Sequence, residues 1–159
     1  MKLFLRGIML AALVLTAGWA IGADAKDGGE MLGVWKNTPG PHQGFFEIYR
    51  TGDKFEGKIV DLAELTYEKG DPEEGKTKHD RYNPEKSLQE RPIIGMVFLK
   101  DFTYDGDNKY SGGTIYDPES GKTYKCKMTL KGDQLDVRGY VGISMFGRTE
   151  NWTRDKAHK

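Results

Sequence analysis

The sequence predicts an all-β fold: an antiparallel up-and-down β-barrel of about eight strands, with one long lid loop that contains a short helix. Apolar and polar residues alternate in short segments, as in residues 123–130, where every second side chain is apolar. Turn residues recur about every 8 to 12 positions and join consecutive segments as hairpins. Closing eight such strands into a barrel leaves no exposed sheet edge.

Alternation and turns place the strands in order along the chain. The first begins at GVWK and the last ends at TENWTR. In the intervening hairpin turns, glycine supplies a positive φ, and Asp or Pro sets the turn. The predicted turns are residues 50–53, 105–108, 117–121 and 131–133. The predicted strands are residues 33–37, 44–50, 54–61, 94–103, 109–116, 122–130, 134–141 and 148–154.

One connection is too long for a hairpin. Residues 62–91 are charged and lack the alternation of a strand, which is typical of a functional lid or a flexible excursion. Asn83 and Pro84 resemble a helix N-cap and first turn, and Pro92 would end the helix, so we predict a short helix at 84–90.

The first 25 residues have the pattern of a signal peptide. Two basic residues precede an apolar run at 8–22, and an Ala-x-Ala pattern at 23–25 follows it. The run is shorter than the roughly 20 residues that a spanning helix needs, although an uncleaved anchor is the alternative. We expect cleavage after residue 25 and a single β-barrel domain over 26–159. The protein is expected to be periplasmic or secreted, and not an integral membrane protein.

Composition excludes some classes of partner. The chain has 24 basic and 24 acidic residues and no net charge. This balance points neither to nucleic acid nor to an anionic membrane surface. Cys126 is the only cysteine, so the domain has no internal disulfide and depends on its core for stability.

No residue pattern indicates catalysis or a metal centre. Cys126 lies on the apolar face of its strand and no motif ties a histidine to it, so we predict a core residue. GISMFG at 142–147 lacks a glycine that a nucleophile elbow requires. His79 beside Asp80 is a weak metal candidate at most. We therefore expect no enzyme, no catalytic residue, no metal and no cofactor.

Two tryptophan motifs indicate how the barrel closes. GVW at 33–35 opens the first strand, and WTR at 152–154 closes the last. The pair is similar to the lipocalin arrangement, in which a late arginine lies over the indole of an early Gly-x-Trp. The resemblance implies that Arg154 meets Trp35 at one end of the barrel, a contact worth about 0.5–2 kcal/mol.

A longer pattern resembles one bacterial family. It consists of DRYNP at 80–84, RPIIG at 91–95, GGTIYDPESGKTY at 112–124, LDVRGY at 135–140 and GRTENWTR at 147–154. In order and spacing it looks like the family called domain of unknown function 2147, over about residues 31–154. The resemblance implies an exported bacterial protein with a lipocalin-like β-barrel and no settled activity. Within the pattern, Gly113, Gly121 and Trp152 are predicted to be structural.

A barrel with an unfilled apolar interior can bind a small molecule. We therefore predict a small-molecule-binding protein whose ligand is apolar or amphipathic. The candidate ligand-binding residues are aromatic side chains of the strands and polar side chains of the loops: Phe98, Tyr116, Tyr124, Asp80, Asn83 and Asp117. For the three polar residues, a role in a turn or a cap is the alternative.

The alternative is a barrel filled by its own side chains, which acts as a structural or protein-interaction domain of the bacterial envelope. A protein partner would then bind the apolar turn between the last two strands, through Ile143, Met145 and Phe146. Interior volume separates the two interpretations, because eight strands can either be just filled or hold one small ligand.

Overall fold

The computed structural model describes residues 27–40 and 42–158. The predicted signal peptide lies outside these residues. Within them, no helix is long and apolar enough to span a membrane. The strands are β1 (Gly33–Lys36), β2 (Gly44–Thr51), β3 (Lys54–Leu62), β4 (Val97–Gly106), β5 (Lys109–Asp117), β6 (Lys122–Lys131), β7 (Gln134–Tyr140) and β8 (Gly147–Arg154).

The eight strands form one closed antiparallel barrel in sequence order. Each strand pairs with the next, and β1 pairs with β8 through Trp35 opposite Arg154 and Lys36 opposite Thr153. The predicted up-and-down barrel is therefore confirmed. The largest difference in strand bounds is at β4, which begins three residues later than predicted because Gly95 turns the chain with a φ of 86°.

The short helix predicted at 84–90 is present as a single 3-10 turn, Lys86–Leu88, and is shorter than predicted. The Asn83 side chain accepts a hydrogen bond from the Glu85 N–H (2.8 Å), and the Arg91 N–H bonds to the Leu88 carbonyl (3.0 Å). These local bonds satisfy the backbone in turns and leave no α-helical ladder. The other helices in the described residues are also 3-10 turns, Gly29–Met31 and Ser144–Phe146.

Large side chains fill one half of the barrel. The Gly29–Met31 turn covers that end, where the Trp35 indole N–H donates to the Met31 carbonyl (2.9 Å) and the Tyr110 hydroxyl to the Gly28 carbonyl (2.7 Å). Gly113 allows the tight packing, because a Cβ there would meet the Phe102 ring at 2.5 Å. The fully buried residues include Met31, Trp35, Ile48, Phe55, Leu99, Phe102, Tyr110, Met128 and Leu135.

Arg154 joins the last strand to the covered end. Its guanidinium lies 4.2 Å from the centroid of the Trp35 ring, so the predicted contact is present. It also donates to the carbonyls of Glu30 (2.6 Å) and Leu32 (2.8 Å) and forms an ion pair with Asp133 (3.3 Å). One side chain therefore connects the N-terminal turn, the first strand and the β6–β7 turn.

Cys126 is a core residue, as predicted. Only 1% of it is exposed. It pairs with Gly139 across the β6–β7 ladder. Burial raises the pKa of its thiol to about 12, so the nucleophilic thiolate is absent at neutral pH.

Replacing Arg154 by Ala should lower the free energy of unfolding by about 2 kcal/mol, because the stacking contact and the hydrogen bonds to the N-terminal turn are lost together. Urea denaturation followed by circular dichroism measures the change. Arg148→Ala is the matched control on the same strand, since the Arg148 side chain has no hydrogen-bond or ion-pair partner among the described residues. Equal losses in the two variants would contradict the sealing role of Arg154.

Cys126 should react slowly with a water-soluble thiol reagent in the native state and rapidly in denaturant, because the thiol is shielded and protonated. Cys126→Ala should keep the fold at a cost of about 1–2 kcal/mol. Labelling is measured by absorbance and stability by urea denaturation. Rapid native labelling at neutral pH is the result that would oppose a core assignment.

Candidate functional site

The other half of the barrel opens into a cavity of about 1390 Å³, a volume that extends through the mouth to the long β3–β4 connection. Four connections surround its mouth: the β1–β2, β5–β6 and β7–β8 turns and the long β3–β4 connection. The cavity exists because the inward residues here are mostly smaller than those of the packed half. The inward apolar residues of its wall include Ile59, Ile93, Ile115, Tyr124, Val137 and Gly139.

An aromatic cluster forms the floor of the cavity. The Trp152 ring lies 4.4 Å from Phe46 and 6.1 Å from Phe98 between ring centroids, and Phe46 lies 5.0 Å from Phe98. These residues come from β8, β2 and β4, so the cluster spans the interior. It separates the cavity from the packed half, and little of the three rings is exposed to the cavity (1% of Trp152, 5% of Phe98 and 7% of Phe46).

Two charged residues of β8 share the inward face with Trp152. Because side chains alternate along a strand, Glu150 and Arg148 follow Trp152 toward the mouth, and both line the cavity. The Glu150 carboxylate accepts the indole N–H of Trp152 (3.2 Å). Neither charge has an ion-pair partner among the described residues. The cavity therefore combines an apolar floor with polar groups nearer its mouth.

The long β3–β4 connection, residues 63–96, lines the mouth. In its outer part, Thr66 and Thr77 pair through an isolated antiparallel β-bridge, which brings the two arms of the connection together. Arg81 holds this part with two hydrogen bonds to the Asp71 carboxylate (2.7 and 2.8 Å) and stacks 4.0 Å over the Tyr67 ring. The hydrogen bonds from Arg81 lower the pKa of Asp71 to about 2, so the pair stays ionised at neutral pH.

A buried polar network fixes the base of this connection to the barrel. Asp80 is fully buried and accepts hydrogen bonds from Arg91 (2.6 Å), Asn83 (2.7 Å) and the Tyr116 hydroxyl of β5 (2.6 Å). Burial and the bond to Asp80 raise the pKa of Tyr116 to about 12. Because removing one member would leave a buried charge without its partner, the network anchors the connection.

Gly121 brings the β5–β6 turn against the same connection. A Cβ at Gly121 would lie 1.9 Å from the Tyr82 carbonyl oxygen, and the residue has a φ of 68°. Any other residue would therefore push the two loops apart. This close approach closes one side of the mouth.

His79 ties the two arms of the connection together. Its Nδ1 lies 2.6 Å from the Gln89 carbonyl oxygen and its Nε2 lies 3.0 Å from the Glu73 carboxylate. Both nitrogens thus face acceptors, which favours the doubly protonated ring. The bond to Gln89 and the charge of Glu73 raise the pKa of His79 above its usual 6.5, against the effect of burial.

The structure places the candidate ligand-binding residues in two groups. Phe98, Tyr116, Tyr124 and Asp117 line the cavity. Asp80 and Asn83 do not line it; they form the buried anchor, close to the loop and cap roles considered for them from the sequence.

Sequence reasoning missed Arg148, Glu150 and Arg81, and treated Trp152 as structural only. The spacing of two between Arg148, Glu150 and Trp152 was the available signal. No similar pattern marks Arg81, because its partner Asp71 lies in an irregular loop.

Metal-binding geometry is absent from residues 27–40 and 42–158, which contain no group of three or more His, Cys, Asp or Glu side chains able to hold an ion. In particular, Asp80 faces Arg91 rather than His79.

Comparisons with known proteins agree with this architecture. Residues 33–154 match the model of the family DUF2147, described as uncharacterized proteins conserved in bacteria. Among solved structures, the chain is similar to protein HP1028 of Helicobacter pylori, which is described as belonging to the lipocalin family. The TM-score is 0.68 at 25% sequence identity, over 79% of this chain and 83% of that one. No curated protein sequence matches the chain.

The connection over the mouth should loosen as pH rises. Since the folded pKa of His79 is raised, the stabilisation is complete below about 6.5 and is lost as pH passes through the folded value. Hydrogen exchange of residues 63–96, corrected for intrinsic rates, should therefore speed up as the pH rises above about 6.5.

His79→Gln should remove this pH dependence. His42→Gln is the matched control, because His42 is largely exposed at the same mouth and its nearest carboxylate is 3.8 Å away. An unchanged pH profile in His79→Gln would contradict the role of the imidazolium.

Proposed function

The chain belongs to the bacterial DUF2147 family, and from this membership and the geometry of the barrel we propose that it is an exported protein that binds a small apolar or amphipathic molecule. The ligand would occupy the open half of the barrel. The observation that carries the proposal is the cavity of about 1390 Å³ above the aromatic floor. An eight-stranded barrel of this kind can hold one small ligand, as lipocalins do.

The size of the cavity supports a ligand larger than a simple metabolite. Binding sites for drug-sized molecules occupy about 300–1,000 Å³, and this cavity exceeds that range while opening to solvent. A long-chain or multi-ring molecule could therefore place its apolar part against Ile115 and Tyr124, which are partly exposed on the cavity wall, with Trp152 beneath it.

The polar groups near the mouth support an amphipathic ligand. Arg148 can pair with an anionic or hydrogen-bond-accepting group, and Glu150 can accept from a donor. Both are free of ion pairs within the described residues. A polar end of the ligand would therefore lie between the floor and the rim, with its apolar body below.

The long connection acts as a lid in this proposal. Its base is anchored by the Asp80 carboxylate, which is fully buried, whereas its outer part is held by the Asp71 carboxylate, which is 20% exposed. Such a gradient allows the tip to open while the base stays attached. Ligand exchange would then require the outer part to move.

Binding without catalysis agrees best with the residues available. Cys126 is buried with a raised pKa, and the cavity wall contains no nucleophile with an adjacent general base among the described side chains. A completely filled barrel fits less well, because its interior would leave no cavity. Export rests on the signal pattern of residues 1–25.

Titration with N-phenyl-1-naphthylamine, which fluoresces in apolar surroundings, tests the proposal. The protein should bind about one probe with saturation, since the proposed site is the single cavity of the barrel half. Ile115→Trp should weaken binding about tenfold by filling the cavity, while Ile94→Trp should not, because Ile94 lies outside it.

Circular dichroism and urea denaturation establish that both variants are folded. The absence of saturable binding by the folded wild-type protein would contradict the proposed function. Equal affinity in the two tryptophan variants would place the probe outside the barrel and would do the same.

A further inference from the structure

An apolar surface stands at the rim of the barrel, on the β7–β8 turn. We define the rim patch as Val141, Ile143, Met145 and Phe146, whose exposed fractions are 69%, 59%, 76% and 75%. Four large apolar side chains within six residues make a contiguous exposed patch, and such patches mark interaction sites. Val141 and Phe146 also line the mouth of the cavity.

The exposure of the rim patch is built into the fold. Arg138 donates from Nε to the Ser144 carbonyl (2.8 Å) and from a terminal nitrogen to the Met145 carbonyl (3.2 Å). Lys127 donates to the Ser144 hydroxyl (3.1 Å). These bonds hold the 3-10 turn Ser144–Phe146 away from the barrel, so its side chains cannot fold back onto the core.

Basic side chains lie on the strands next to the rim patch, whose hairpin is flanked by the acids Asp136 and Glu150. The strand β6, KTYKCKMTLK, has four lysines and no acid, and its Lys125 and Lys127 are exposed beside β7. Residues 137–149 include Arg138 and Arg148 and again no acid. Although the whole chain has no net charge, the exposed lysines of β6 therefore form a local basic surface next to apolar side chains.

We propose that the rim patch docks the barrel, mouth first, onto a lipid bilayer that contains anionic phospholipids. Apolar tips enter the boundary between headgroups and acyl chains, while neighbouring Lys and Arg side chains meet the phosphates. Docking itself needs no bound ligand.

The docked orientation places the mouth of the cavity against the lipid. Because Val141 and Phe146 belong to both the patch and the mouth, an amphipathic molecule could pass between bilayer and barrel without crossing water. This last step rests on the proposed function, whereas docking does not.

Co-sedimentation with vesicles tests docking in the absence of any ligand. The purified protein, residues 26–159, should bind vesicles of phosphatidylcholine with phosphatidylglycerol and bind pure phosphatidylcholine far more weakly. Raising the salt to about 0.5 M should weaken binding, since screening shortens the reach of the charges.

Met145→Ser combined with Phe146→Ser should reduce the vesicle affinity at least about tenfold through lost apolar burial. Thr51→Ser is the control, because Thr51 is exposed in the β2–β3 hairpin at the opposite end of the barrel, which docking leaves in water. Lys125→Gln should weaken binding about fivefold, the effect of one cation near an anionic surface. Its control is Lys109→Gln in the β4–β5 hairpin, where no change is expected.

Three outcomes would overturn the docking proposal: no binding of the folded protein to anionic vesicles, equal binding by the double variant, or equal effects of Lys125→Gln and Lys109→Gln. A concentration-dependent dimer that the double variant makes monomeric, without vesicle binding, would assign the patch to a second copy of the chain instead. Probe binding that persists without vesicle binding would separate this failure from that of the proposed function.

Discussion

The pairing of β1 with β8 is the constraint on which the rest of the structure depends. The ladder itself is short, with Trp35 opposite Arg154 and Lys36 opposite Thr153, and side chains extend it. Arg154 stacks on the Trp35 ring and donates to the N-terminal turn, and Lys36 forms an ion pair with Asp155 (3.3 Å). Without this closure, the sheet would have two exposed edges and no enclosed interior. With it, the cylinder has a fixed circumference, and the sizes of the inward side chains decide where it is solid and where it is hollow.

The two halves of the barrel divide stability from binding. Close packing around Trp35 and Leu135 fills one half. The other half carries the cavity, the long connection and two charged side chains, Arg148 and Glu150, that form no ion pair within the described residues. Asp80 anchors the base of the long connection to the barrel. In its outer part, Arg81 and His79 bind the carboxylates of Asp71 and Glu73, which are more exposed to water than that of Asp80. Lid, cavity and rim patch all lie at the same end of the barrel, so the proposed ligand and the proposed bilayer meet at one mouth.

Much of the fold could be predicted from the sequence because strands and hairpins leave local signals. Period-two alternation and turn residues predicted all eight strands. The resemblance to lipocalins predicted the contact between Arg154 and Trp35. The candidate site was predicted only in part. The predicted residues that do line the cavity are Phe98, Tyr116, Tyr124 and Asp117. The Asp80 network was not predicted, because it joins residues up to 36 positions apart and no local sequence pattern indicates such a contact. Glu150 was missed because a charged residue in a strand normally lies on the outer face of a barrel, whereas here it lines the cavity.

The central claim is that the open half of the barrel receives the apolar part of a ligand. Methyl NMR spectra recorded while a neutral long-chain amphiphile is added test this most directly. The account predicts shifts for the cavity methyls of Ile59, Ile115 and Val137, and little change for Met31 and Leu135 in the packed half. Saturating amphiphile that leaves the Ile59, Ile115 and Val137 methyls unshifted would contradict it.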